Sequence, residues 1–152
     1  MPKLPSERPS RPTPLDVPSG NPQAGRAGRG IVLVVEDDDD VRLEVRDALE
    51  YQGYVVLESR SGTQALEILR SEAAPKISLI ILDLTMPFMS GWEFIEILRR
   101  DSRFVDVPII VASGVRSGDA SEIGNSLRWL RKPYKLEELL DTVREAVDRA
   151  QC

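Results

Sequence analysis

Histidine is absent from all 152 residues of this chain. That absence excludes a histidine-activated nucleophile, a histidine zinc site and a phosphohistidine carrier within the chain itself. Cysteine occurs once, as the final residue, Cys152. No internal disulfide and no cysteine-rich metal site can therefore form, and a reducing, cytoplasmic compartment is expected. No apolar run approaches the roughly 18 residues that a membrane span needs. The N-terminus lacks the apolar stretch of a secretory signal, so neither a span nor an exported protein is expected. A glycine-rich phosphate loop is missing too, which excludes nucleotide binding of that kind. Any chemistry must run on carboxylates, hydroxyls and lysines.

What is present divides unevenly. Residues 1–30 hold seven of the eleven prolines together with Gly20, Gly25, Gly28 and Gly30, and they carry a net charge of +3. A segment so poor in patterned apolar residues cannot offset its ordering entropy, so residues 1–29 read as a disordered, basic tail. The whole chain carries −5, so residues 31–152 sum to −8. An acidic domain of this kind repels phosphate backbones, and no nucleic-acid partner is expected. With 41% apolar residues in the whole chain, a single packed core is within reach. The domain is expected over residues 30–149, with a frayed end at 150–152.

Four short aliphatic runs, "IVLVV" (31–35), "YVVLE" (54–58), "ISLIIL" (77–82) and "VPIIVA" (107–112), suit parallel strands covered on both faces, and "RWL" (128–130) is a weaker fifth. Helical stripes lie between and after them. Val41, Val45, Ala48 and Leu49 precede a natural stop at Gly53. Ala65, Leu66 and Leu69 form a second stripe, "WEFIEILRR" after Gly91 a third, and Leu136, Leu139, Leu140, Val143 and Val147 the clearest. Residues 116–127, "RSGDASEIGNSL", predict only a short or frayed helix. Strand and helix alternating five times imply an α/β fold: a doubly wound, flavodoxin-like parallel sheet with helices on both faces. A common strand order for five strands is 2-1-3-4-5, with sites at the carboxyl ends near the switch between strands 1 and 3.

The strand ends are where the chemistry collects. The first strand runs into Glu36 and Asp37, the third into Asp83, the fourth into Ser113-Gly114 and the fifth into Lys132-Pro133. In that order strands 1 and 3 are neighbours, so Asp37 and Asp83 converge. Two ionised carboxylates in a partly desolvated cleft repel, and a hard divalent cation relieves this. Mg²⁺ suits such a site because it takes oxygen ligands, uses one or two carboxylates and keeps several waters. Asp38, Asp39 and Asp40 fall where the first helix begins. Acids there cap exposed N–H groups and favour the positive helix end by roughly 0.3–1 kcal/mol each.

Over residues 30–149 the sequence resembles the receiver domains of two-component response regulators. The resemblance is carried by "VVEDD", "LDLTMPFMSG" (82–91), "IIVASG" (109–114) and "LRKPY" (130–134), in that order and at family-like spacing. Receivers are themselves among the known examples of the 2-1-3-4-5 order, so order and resemblance are one inference. The resemblance implies that Asp83 is the phosphoacceptor, a carboxylate nucleophile that forms an acyl phosphate. It implies a Mg²⁺ site with Asp37 as direct ligand, Glu36 acting mainly through water, Asp83 itself and the backbone carbonyl of Thr85. It gives Ser113 the switch hydroxyl, Lys132 the pairing with the phosphoryl group and Pro133 a cis bond after it. Trp129, three residues before Lys132, takes the position of the aromatic that rotates inward. The resemblance implies that Thr85 and Val115, which flank the site, tune the lifetime of the phosphate. The phosphoryl source implied is a histidine kinase or a histidine phosphotransfer protein.

Two departures accompany the match. Ser113 stands in place of the commoner threonine, with the hydroxyl kept. The interval from Ser113 to Lys132 is a few residues short of the usual spacing, which touches a surface that many receivers use to dimerise or to bind targets. No output domain is recognisable after the last helix. The expectation is a stand-alone response regulator, a monomer or weak dimer that binds an unknown protein target or serves as a phosphate relay or sink, and which catalyses only its own phosphorylation and dephosphorylation. Two alternatives stand beside it. A receiver-like interaction module without phosphorylation is disfavoured by the acid pair, Asp83, Ser113 and Lys132. A phosphatase of the haloacid-dehalogenase type needs a second aspartate two positions after the first, where this chain has Thr85.

Overall fold

The computed structural model describes residues 28–86, 88–114 and 127–150. The expected tail and the 116–127 helix thus lie almost wholly outside the described residues, as do Pro87, Val115 and Cys152. Five strands are described: β1 (Ile31–Val35), β2 (Val55–Ser59), β3 (Leu79–Asp83), β4 (Ile109–Ser113) and β5 (Leu127–Arg131). Four helices accompany them: α1 (Asp39–Tyr51), α2 (Gly62–Arg70), α3 (Gly91–Arg99) and α4 (Leu136–Ala150). All strand pairs are parallel, in the order β2-β1-β3-β4-β5. Fold class and strand order agree with the sequence reading.

Period-two alternation within the aliphatic runs explains why helices must cover both faces. Leu33 and Val35 of β1, Ile80 and Leu82 of β3, and Ile109 and Val111 of β4 point to one side. There they meet Ala65, Leu66 and Leu69 of α2 and Phe94, Ile95 and Leu98 of α3. The intervening Val32, Val34, Leu79, Ile81 and Ile110 point to the other side, against Val45 and Leu49 of α1 and Leu139, Val143 and Val147 of α4. Full burial of one such side chain contributes about 1.5–3 kcal/mol, so neither face can be left to solvent.

Local signals end the helices where the sequence places them. Asp38 is the N-cap of α1, accepting from the Val41 N–H at 3.1 Å. Ser61 caps α2 by accepting from Gln64 N–H at 3.1 Å. Ser90 and Glu93 form a reciprocal capping box at α3. At the end of α1, Gly53 has φ +98°. Its N–H donates to the Glu50 carbonyl at 3.0 Å while Tyr54 N–H donates to that of Leu49 at 3.1 Å, the Schellman arrangement that only a left-handed residue allows at low cost.

Candidate functional site

Register brings the chemical residues to one edge of the sheet. Val35 of β1 pairs with Leu82 of β3, so Glu36 and Asp83, the next residues, end neighbouring strands at the same level. Asp83 pairs with Ala112, which puts Ser113 one step beyond it on β4. The Lys132 N–H donates to the Ser113 carbonyl at 2.9 Å, continuing the β4–β5 ladder past its end. The Lys132–Pro133 peptide is cis, as the resemblance implied.

The side chains then converge. Carboxylate oxygens of Glu36, Asp37 and Asp83 all lie within 4.8 Å of one another. Glu36 and Asp83 are buried, at 6% and 7% exposure, whereas Asp37 faces solvent. Lys132 Nζ donates to Glu36 Oε2 at 3.2 Å and stands 3.7 Å from Asp83 Oδ1. Asp83 Oδ1 also accepts from the Thr85 N–H at 3.1 Å. Glu36 Oε1 accepts from the Asp38 N–H at 3.2 Å. Ser113 is buried at the same edge.

The electrostatics follow from this crowding. Burial raises the Glu36 carboxyl first of all, the Asp83 charge adds to it, and the Asp38 N–H and Lys132 pull the other way; the result is about 7. Tyr134, two residues past Lys132, is pushed up to about 12, by burial and then by the charges of Glu36, Glu44 and Asp83. The donor set fits Mg²⁺: three carboxylates, hard and oxygen-only, close enough to share one cation. Lys132 is a cation held against two of them.

Trp129 stands on β5, half-buried against the α2/α3 side of the core, with Val111 as its strand partner. Its ring centroid is 5.8 Å from that of Trp92 on α3, tilted by 59°. Thr85 is exposed in the loop after β3. Sequence reasoning missed Arg42, which is buried directly behind the acids. A signal for it existed. Arg42, Val45 and Leu49 fall at i, i+3 and i+7, so a charged residue occupies the apolar stripe of α1 and must find buried partners.

Comparison with known proteins gives concordant results. The sequence model of the family described as the response regulator receiver domain matches residues 32–144. The sensor kinase CckA of Brucella abortus is 33% identical over 126 residues, which are 81% of this chain and 13% of that protein. Two further curated relatives are also spanned over only about half their length, 51% each. The polar-differentiation response regulator DivK of Brucella ovis is 31% identical over 116 residues, 74% of this chain and 92% of the relative. Among solved structures, the chemotaxis response regulator CheY4 of Vibrio cholerae has a TM-score of 0.67 at 29% identity, covering 77% of this chain and 98% of that one. Among the described residues no helix is long and apolar enough to cross a membrane.

Proposed function

The chain belongs to the response regulator receiver domain family of two-component systems, and from that membership we propose that it accepts a phosphoryl group on Asp83 in a Mg²⁺-dependent reaction. One observation carries the reading: three carboxylates from two strand ends share a space 4.8 Å across, with Lys132 against two of them. In the proposed step an Asp83 carboxylate oxygen attacks the phosphorus of a phosphohistidine on a histidine kinase or phosphotransfer protein. The O–P bond forms, the N–P bond breaks and the imidazole leaves with its electron pair. Such transfer depends on positioning and on neutralising charge on the equatorial oxygens. Asp37, Asp83 and the carbonyl of Thr85, with Glu36 mainly through water, would hold Mg²⁺, which would supply part of that neutralisation. Lys132 supplies the rest, moving its contact from the Asp83 carboxylate to the phosphoryl oxygens. The Ser113 hydroxyl donates to one of those oxygens and draws its strand end inward, and Trp129 follows in the switch. The output we infer is a changed protein-binding surface. The net −8 of residues 31–152 supports a protein target over a nucleic acid.

Incubation with acetyl phosphate and Mg²⁺, followed by intact mass measurement, tests the assignment. The chain should gain one phosphoryl group, labile to hydroxylamine, and Asp83→Asn should gain none. Full labelling of Asp83→Asn would overturn it.

A further inference from the structure

Behind the acid cluster lies a buried cation that the proposed chemistry does not use. Arg42 on α1 is 5% exposed, and its guanidinium reaches three separate segments. Nη1 donates to the backbone carbonyl of Glu36 at 3.0 Å. Nη2 donates to Asp39 Oδ1 at 2.6 Å, and Nε to Glu58 Oε1 on β2 at 3.0 Å. Glu58 is held in turn, since its other oxygen accepts from Arg46 Nη1 at 3.1 Å. Two carboxylates therefore fix the plane of the guanidinium, and a further donor is aimed at one peptide group. That peptide joins Glu36 to Asp37, which carry two of the three clustered carboxylates.

We propose that Arg42 is a positioning residue of the acid site: it locks the Glu36–Asp37 peptide in the orientation that Mg²⁺ binding needs, and Glu58 on the edge strand locks Arg42. The inference rests on the reading of the cluster as a Mg²⁺ site. A planar guanidinium does this where an ammonium does not, because its donors leave in fixed directions and can serve a carbonyl and two carboxylates at once. Charge alone makes the opposite prediction. A cation beside the acids repels a dication, so its removal would tighten Mg²⁺ binding. If Arg42 acts by positioning, its removal loosens binding, because groups that orient metal ligands typically contribute 10–100-fold in affinity. The sign of the change separates the two.

Mg²⁺ is titrated calorimetrically into the wild-type chain, Arg42→Met and Arg42→Lys, at a temperature where circular dichroism shows each to be folded. Binding to Arg42→Met should weaken by about tenfold, and Arg42→Lys should also weaken. The Mg²⁺ concentration that half-saturates labelling by acetyl phosphate should rise by about the same factor, a shift in metal dependence that a loss of stability alone would not produce. Unchanged or tighter binding by folded Arg42→Met overturns the proposal. Should Arg42→Met fail to fold, Arg42→Lys decides: weaker binding supports the role and unchanged binding overturns it. A wild-type chain that takes up no Mg²⁺ overturns the reading of the site and this inference together, whereas normal wild-type uptake with unaltered variants removes the role of Arg42 alone.

Discussion

Replacing Lys132 by methionine tests the acid cluster most directly, because it removes the cation while keeping the length of the side chain. The ammonium contacts Glu36 at 3.2 Å and stands 3.7 Å from Asp83. Both carboxylates are over nine-tenths buried, but the lysine side chain is 29% exposed. Breaking a fully buried pair costs about 3–5 kcal/mol and breaking an exposed one about 0–1 kcal/mol. The half-buried lysine falls between. Glu36 already titrates at about 7 and can take up a proton once its partner is gone, which caps the loss. We expect about 2 kcal/mol of destabilisation, read as a fall of about 5–10 °C in melting temperature for a domain of this size. Arg144→Ala is the control. It breaks an exposed pair with Asp141 at 2.9 Å and should change stability by less than about 0.5 kcal/mol. Mg²⁺ should stabilise Lys132→Met more than wild type, because the dication then neutralises acids that no ammonium shares. Thermal melts with and without Mg²⁺ measure both effects. A Lys132→Met chain that melts with wild type and gains no more from Mg²⁺ would refute the claim that the lysine neutralises these carboxylates.

Two further outcomes follow from geometry and burial. Gly91→Ala would place a Cβ 2.8 Å from the Leu84 Cα and 3.2 Å from the Asp83 carbonyl oxygen, so the start of α3 must shift away from the end of β3. We expect about 1–3 kcal/mol of lost stability together with slower labelling of Asp83, and a variant equal to wild type in both melt and labelling would count against that close approach. For Tyr134, whose phenol is pushed from 10.0 to about 12, the fold favours the neutral form. Its contribution to stability is fully present below pH 10.0 and is lost as the pH climbs towards about 12. Ultraviolet titration of phenolate absorbance in wild type and Tyr134→Phe checks this, and a Tyr134 component near the ordinary value would contradict it.

The α/β architecture was legible because its signals are local. A five-residue aliphatic run such as Ile31–Val35 declares a strand with two buried faces, and Gly53 after an apolar stripe declares the end of α1. The site was legible in part. Glu36, Asp37, Asp83, Ser113 and Lys132 were picked out because each terminates a strand, and strand ends share an edge once the order is known. Arg42 escaped because an arginine in the first turns of a helix reads as a solvated charge even when it falls in the apolar stripe; the groups that pair with it include Glu58, a residue of the neighbouring strand. The pairing of Trp129 with Trp92 escaped for the same reason.

By itself, then, the sequence determined which chemistry is available, with no histidine, one cysteine and acids and a lysine at strand ends, and it determined the alternation of strand and helix. Only the tertiary structure decided which of those groups meet. Lys132 reaches Glu36 across 96 positions of chain, and Asp83 reaches the same space from a third strand. Separations of a few ångströms between such distant residues are set by register and by helices packed against both faces, and neither is written in any short stretch of residues.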